Sequence, residues 1–338
     1  RDWSSDVCSS DLAGLACKAS IYLYDGFPFY KNNDCLIKYC EDHQFTLFGV
    51  AAKYIDQLKK EKFDAKKYNL KNLKTITSTG SPLVKESFVY VYEKIKKDVH
   101  LGSISGGTDV VGVINICNPF NSIYAGEIQC PSLGIDVDVF DENGNSTKID
   151  EKGELVIKKP FPSMPVMFWN DKTEDKILNA YFRKFKNIWH HGDYIQKTKN
   201  GGYIIYGRSD ATLKPGGVRI GTSEIYRQVE SFDEIQESIV IGQNYKNDVR
   251  IILFVKLSYQ AKLDDELINK IKKKIRINCS PRHVPSKIIS CPDIPRTKSN
   301  KIVEISVRKI INGEKVDNIE ALANPNSLEF FRQLKIDD

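Results

Sequence analysis

From Ala13 onward, apolar and polar positions fall into short runs whose period changes repeatedly. "SIYLYDG" (20–26), "FTLFGV" (45–50) and "DVHLGS" (98–103) are apolar and β-branched or aromatic, so they are predicted strands. Between them, "DCLIKYCEDH" (34–43) and "AAKYIDQLKKEK" (51–62) place apolar residues three and four apart, the period of an amphipathic helix. "TITSTGSPLVKESFVYVYEKIKK" (75–97) reads as strand, glycine turn and helix, with Pro82 in the first helical turn. Strands alternating with helices predict a parallel α/β sheet, and ligands of such sheets sit beyond the carboxyl ends of the strands.

The texture changes after Asp109. "GEIQCPSLGIDVDVFDENGNS" (126–146), "GELVIKKP" (153–160) and "YIQKTKNGGYIIYG" (194–207) are short alternating runs joined by Asn-Gly and Gly-Gly turns, which predicts antiparallel strands. Beyond "GRSD" (207–210) a third unit follows. It has a helix over 222–232, a hairpin over 238–257 and a basic helix over 265–278. A domain boundary is placed at Ser209–Ala211, giving a first domain over 13–209 and a smaller α+β domain over 210–338.

The composition of the 338 residues is 41% hydrophobic and 28% charged, an ordinary profile for a chain able to bury a core. No apolar run approaches the ~20 residues a membrane helix needs, and no leader pattern opens the chain. The net charge is +6, and from Ala211 onward 22 Lys and Arg stand against 17 Asp and Glu. That bias suits an anionic small molecule and is too weak for a nucleic-acid partner. Eight cysteines form no Cys-x-x-Cys pair, so reduced thiols and a cytoplasmic location are expected. The opening "RDWSSDVCSSDL" (1–12) has no periodicity and resembles one reading frame of a sequencing adapter. It is left out of the fold reasoning, and the expectation is that the natural chain extends upstream of Ala13.

Three glycine turns are candidates for chemistry: "STGSPL" (78–83), "SISGGTD" (103–109) and "LKPGGVRIG" (213–221). A glycine turn at a strand end lets backbone N–H groups approach an anion or a flat ring, although a single such turn is usually only a connection. "SISGGTD" adds a hydroxyl and a carboxylate, Thr108 and Asp109, suited to a phosphate oxygen and its Mg2+; Asp109 alternatively caps the next element. "WHHGDYIQ" (189–196) sets Asp193 where a carboxylate can accept from both hydroxyls of a ribose. His190 and His191 are adjacent and on a strand point to opposite faces, which argues against a shared metal. Arg208 and Arg219 flank a flexible stretch and carry the bidentate fork that suits phosphate. "IPRTKSNKIVE" (294–304), taken alone, is a solvated basic turn.

As an ordered set, "STGSPL", "SISGGTD", "WHHGDY", "YGRSDATLKPGGVRIGTSEIYRQVE" and "IPRTKSNKIVE" resemble the adenylate-forming superfamily of acyl-CoA synthetases. "GEIQC", "KPFPSMPVMFWND", "SPRHVPSK" and "ALANPNSLEFF" resemble the members acting on acetoacetate more than those acting on acetate or fatty acids. The resemblance runs from about Ala13 to the end. It implies the later part of a large domain of layered sheets with helices, followed by a small mobile C-terminal domain. It implies ATP, Mg2+ and coenzyme A as reactants, with an acyl-adenylate intermediate.

By position it implies that Gly80, Ser81 and Pro82 pack on adenine, that Thr108 contacts phosphate and that Asp109 stands where the family has a Mg2+-associated Glu. Asp193 takes the ribose carboxylate position, and Arg208 and Arg219 those of arginines near ribose and phosphates. Asp210 falls at the interdomain hinge. Lys301 takes the place of the lysine that bridges the acyl carboxylate and the α-phosphate, with Asn300 where the family has Gly. Gly217 and Arg276 match residues that meet the pantetheine and nucleotide parts of coenzyme A. Gly106 stands where acetate-specific members carry Trp, which implies a roomier acyl pocket.

The resemblance also implies a Ser/Thr/Gly-rich phosphate loop that this sequence does not contain, so the 338 residues alone are expected not to form acyl-adenylate at a normal rate. Two other readings stay open: a synthetase for propionate or a branched short-chain acid, and an AMP-binding module without catalysis. The sequence leaves the oligomeric state open.

Overall fold

The computed structural model describes residues 12–298, 301–316 and 319–336. Its contacts divide the chain into two compact units, one ending at Ile205 and one beginning at Tyr206. Ser209–Ala211 is a short 3-10 turn just inside the second.

In the first unit, α1 is Leu12–Ala16, α2 Cys35–Asp42, β1 Leu47–Ala51, α3 Ala52–Lys60, β2 Thr75–Thr79 and α4 Lys85–Tyr90. β3 is His100–Ser103, β4 Ser105–Gly107, β5 Gly112–Ile116 and β6 Cys130–Pro131. β7 is Val137–Phe140, β8 Lys152–Ile157, α5 Asp175–Ile177 and β9 Trp189–Lys197, and β10, Tyr203–Arg208, runs past the end of the unit.

β1, β2 and β3 pair in parallel in that order, as the alternation of strands and helices predicts. Their core joins Phe48, Ile76 and Leu101 to Ile55 and Leu58 of α3 and to Phe88 and Val91 beyond. The later strands form an antiparallel sheet in the order β10-β9-β8-β7 and a small sheet β4-β5-β6. They share a core of Ile114, Leu155, Ile157, Trp189 and Ile195.

Three local expectations are corrected. Ser20–Gly26 is not a strand, for no neighbour offers it a ladder; Tyr22 packs its ring on His43 and Phe45 instead. Pro82 lies before α4 rather than in its first turn, because the extended segment through Val84 delays the helix to Lys85. The segment Ser103–Asp109 is not only a strand end. After Ile104 it re-forms as β4 and pairs antiparallel with β5.

The second unit contains α6 Thr222–Val229, β11 Ile235–Tyr245, β12 Asp248–Leu257, α7 Asp265–Asn278, β13 Lys287–Ser290, α8 Glu304–Ile311 and α9 Leu328–Gln333. β11 and β12 are antiparallel, and β13 joins β12 in parallel. Because strand side chains alternate between faces, β12 sends Ile251, Leu253 and Val255 one way and Ile252 and Phe254 the other. Ile225, Val229, Leu267, Ile271 and Ile275 of α6 and α7 cover the first set, and Val307 and Phe331 of α8 and α9 cover the second.

No described helix is long and apolar enough to cross a membrane. Seven cysteines are free among the described residues. Burial pushes the Cys40 thiol up to about 11 and the Cys291 thiol up to about 12, so both stay protonated as core residues.

Candidate functional site

In the first unit Asp193 lies on β9, and the Thr108–Asp109 turn is tied to that strand through Gly107 and Tyr181. The period of two puts Trp189 and His191 on one face of that strand. The ladder is irregular between His190 and Tyr194, where Gly192 has φ 84, and Asp193 comes back beside His191. All three are buried, Asp193 at 9% exposure. Trp189 Nε1 donates to His191 Nδ1 at 3.3 Å, and His191 Nε2 lies 3.9 Å from Asp193 Oδ2. His190 points to the opposite face and bonds the fully buried Glu154 at 2.9 Å; Glu154 also takes the Lys184 ammonium. The two imidazoles therefore have different partners on opposite faces of the strand.

The turn after β4 meets this face. An ideal Cβ on Gly107 would sit 2.8 Å from His191 Cε1, so the ring packs on bare backbone there. Thr108 and Asp109 follow, both exposed, and the Val111 N–H closes the turn on the Thr108 carbonyl at 3.1 Å. The Tyr181 hydroxyl donates to Asp109 Oδ2. Its ring stacks on Trp189, with centroids 3.6 Å apart and planes 13° from parallel. The element after Asp109 is the strand β5, so no helix starts there for Asp109 to cap.

No group of three or more His, Cys, Asp or Glu is arranged for a metal among the described residues. A lone exposed carboxylate such as Asp109 fits Mg2+, which takes most of its ligands from phosphates and water. Gly80 to Pro82 leave the carboxyl end of β2. Gly80 has φ 82 and open space where a Cβ would be, so this turn presents its backbone.

Gly106 is constrained by its hairpin as well as by any ligand. An ideal Cβ there would lie 2.1 Å from the Gly112 carbonyl oxygen and 2.9 Å from Val113 Cα. A side chain at this position would require β4 and β5 to shift apart.

In the second unit, Arg208 ends β10 and its Nε lies 3.6 Å from Asp210 Oδ1. Arg219 folds back on the same turn, reaching Ser209 O at 3.4 Å and Thr212 Oγ1 at 3.5 Å. The bridge between Leu213 and Ile220 closes this loop and brings the two arginines to one turn. Arg308 of α8 donates to the Asp210 carbonyl at 2.5 Å. Gly217 is exposed, beside a Gly216 N–H that the Asp248 carboxylate accepts at 3.0 Å. Arg276 is exposed near the end of α7.

Lys301 closes a tight loop. Its N–H donates to Thr297 Oγ1 at 3.1 Å, and its carbonyl accepts from Thr297 N at 2.9 Å. The residue is exposed, so the backbone is pinned and the ammonium is left to solvent. Asn300, and the adapter-like residues 1–11, lie outside the described residues. Arg296 is not a solvated loop cation. Its bridge partner Ile302 turns it inward, where it pairs with Glu237 at 12% side-chain exposure, and burial holds its pKa below the ordinary value.

Three residues after Lys301, Glu304 accepts from the Tyr226 hydroxyl at 3.1 Å, and that hydroxyl in turn accepts from Val240 N at 3.2 Å. Burial raises the Glu304 carboxyl above its ordinary value, Asp210 adds to the rise and Arg208 opposes it. A carboxyl raised by folding contributes stability that is full below the ordinary carboxyl range and lost as pH climbs through the raised value. Glu304→Gln keeps the Tyr226 bond without the charge. It is expected to be the more stable form at pH 8, with no advantage at pH 4, and thermal unfolding at the two pH values measures this.

Residues missed by sequence reasoning are Tyr181, Trp189 and Gly107. The spacing of Trp189 and His191 was a usable period-two signal; the position of Tyr181, 72 residues from Asp109, left none.

Residues 4–165 match the family model described as AMP-binding enzyme. The chain is 52% identical over 324 residues to an acetoacetyl-coenzyme A synthetase of Rhizobium meliloti, covering 96% of this chain and 50% of that protein. It is 41% identical over 326 residues to the acetoacetyl-CoA synthetase of Xenopus tropicalis, covering 96% and 48%. Among solved structures, an acetoacetyl-CoA synthetase from Streptomyces lividans superposes with a TM-score of 0.88 at 37% identity, over 95% of this chain and 50% of that one. The chain spans about half the length of the curated relatives it matches. It shares the fold of the AMP-binding enzymes and is similar, over nearly its whole length, to half of an acetoacetyl-CoA synthetase.

Proposed function

We propose that this chain contributes nucleotide-binding and catalytic residues to an AMP-forming ligase that joins acetoacetate to coenzyme A. The observation that carries this reading is Asp193. It is a buried carboxylate held beside His191, whose ring meets Trp189 and a glycine turn bearing Thr108 and Asp109. Burial in a fixed frame is what a group needs to accept both hydroxyls of a ribose with little reorganisation. The 52% identity to an acetoacetyl-coenzyme A synthetase supports acetoacetate as the acid.

In the first half-reaction a carboxylate oxygen of acetoacetate attacks the α-phosphorus of ATP, and the bond to the β-phosphate oxygen breaks to release pyrophosphate. In the second, the coenzyme A sulfur attacks the acyl carbon and AMP leaves. The first step brings an anion to a polyanion, so fixed positive charge lowers its barrier. Lys301, whose ammonium is free of the contacts that pin its backbone, supplies that charge at the reacting oxygens. Arg208 and Arg219 hold phosphate and ribose, and Gly80 to Pro82 pack on adenine. Gly106 borders the acyl group, Gly217 and Arg276 meet coenzyme A, and Asp210 is the hinge. Mg2+, when bound with ATP, neutralises phosphate oxygens, and Asp109 is the residue that would face it.

The test is a full-length protein carrying this chain, given ATP, coenzyme A and one acid at a time. Acetoacetate is expected to give a kcat/KM about 10-fold or more above acetate, propionate and isobutyrate, because each lacks the polar carbonyl at C3. Equal turnover of propionate would put another short-chain acid in its place. Binding of AMP with no turnover of any acid would leave a nucleotide-binding module.

A further inference from the structure

Asp109 and Asp193 lie on different segments, the turn after β4 and the strand β9, whose neighbours Val110, Trp189 and Ile195 share one core. A run of side chains also links them. The Tyr181 hydroxyl holds Asp109, the Tyr181 ring stacks on Trp189, the Trp189 N–H holds His191, and His191 faces Asp193. An indole N–H can only donate, so His191 Nδ1 must be the acceptor. The ring hydrogen is then on Nε2, which lies 3.9 Å from Asp193 Oδ2, close enough for charge attraction but longer than a hydrogen bond. Gly107, in the turn that leads to Asp109, closes the loop by seating its bare Cα against the same imidazole, 2.8 Å from where a Cβ would stand. The ring is 8% exposed and cannot swing away into solvent.

We propose that His191 is a positioning residue for nucleotide binding: it orients the Asp193 carboxylate toward the ribose and, through Trp189 and Tyr181, ties that carboxylate to the Thr108–Asp109 turn at the phosphate end. The proposal rests on Asp193 being the ribose ligand. It assigns to His191 no contact with substrate. The relay is made of two hydrogen bonds, one ring stack and one close approach of an imidazole to a carboxylate, so a change at His191 alters the placement of Asp193 rather than its charge. The quantity that responds is discrimination for the ribose hydroxyls.

The experiment measures binding of AMP and of 2′,3′-dideoxy-AMP to the full chain by calorimetry, with thermal unfolding as a control for folding. The unsubstituted protein is expected to prefer AMP about 10-fold or more, the range of hydrogen bonds to a charged group. Asp193→Asn is expected to erase most of that preference. His191→Leu, which removes both ring nitrogens, is expected to reduce it to about 3-fold or less, while His191→Gln, which restores an N–H at the distance of Nε2, recovers most of it. Gly107→Ala pushes on the ring with one methyl and is expected to lower the preference with His191 intact; it also serves should His191→Leu fail to fold.

A preference lost in Asp193→Asn but kept in both His191→Leu and Gly107→Ala overturns the relay alone. No preference in the unsubstituted protein, or one that Asp193→Asn leaves unchanged, removes the ribose assignment and the relay together.

Discussion

Lys301→Ala, introduced into a full-length protein carrying this chain, is expected to lower acyl-adenylate formation about 10²–10³-fold, the usual cost of removing one preorganised group that meets developing charge. The structure makes this a clean experiment. Lys301 holds its loop through its own N–H and carbonyl, both paired with Thr297, and alanine keeps both. The exposed side chain makes no contribution to a core, so folding stability is expected to stay within about 0.5 kcal/mol. Lys301→Arg keeps the charge but presents a planar fork in place of a compact ammonium, and partial activity is expected. Acetoacetate-dependent pyrophosphate release measures all three proteins. Undiminished release by Lys301→Ala would remove this lysine from the chemistry.

The second large effect is expected at Gly106. Were this position only a vacancy in an acyl pocket, Gly106→Ala would be harmless and Gly106→Trp would swing preference toward acetate. The backbone says otherwise. A Cβ 2.1 Å from the Gly112 carbonyl forces β4 and β5 apart, and those strands lead directly into Thr108 and Asp109. Both substitutions are expected to cost about 2 kcal/mol or more and to weaken nucleotide binding whatever the acid. The checks are the unfolding temperature, AMP affinity, and kcat/KM for acetate and acetoacetate. Unchanged stability with an inverted acid preference would restore the simpler pocket explanation.

What the sequence made legible followed apolar patterning. The parallel strands β1 to β3, the β11–β12 hairpin and the basic helix α7 each follow from their apolar runs: α7 buries one stripe, and the hairpin is a continuous apolar run buried on both faces. β13 and α8 went unread: Lys287–Ser290 is only four residues long and pairs with a strand more than thirty residues earlier. Arg296 looked like a surface cation because its partner Glu237 is 59 residues away, and charge runs carry no sign of distant partners. The candidate site divided the same way. Asp193 is a candidate from its local turn, whereas Tyr181 left no local signal, since stacking on Trp189 and bonding to Asp109 are products of the folded sheet.

The three-stranded sheet of the second unit has helices of its own over both faces. Such a piece meets the requirement for autonomy: severed just before Tyr206 and expressed by itself, it ought to remain soluble and cooperative. Solution spectroscopists would then have a miniature in which Lys301, Arg308 and the Asp210 turn can be watched residue by residue, without the rest of the chain.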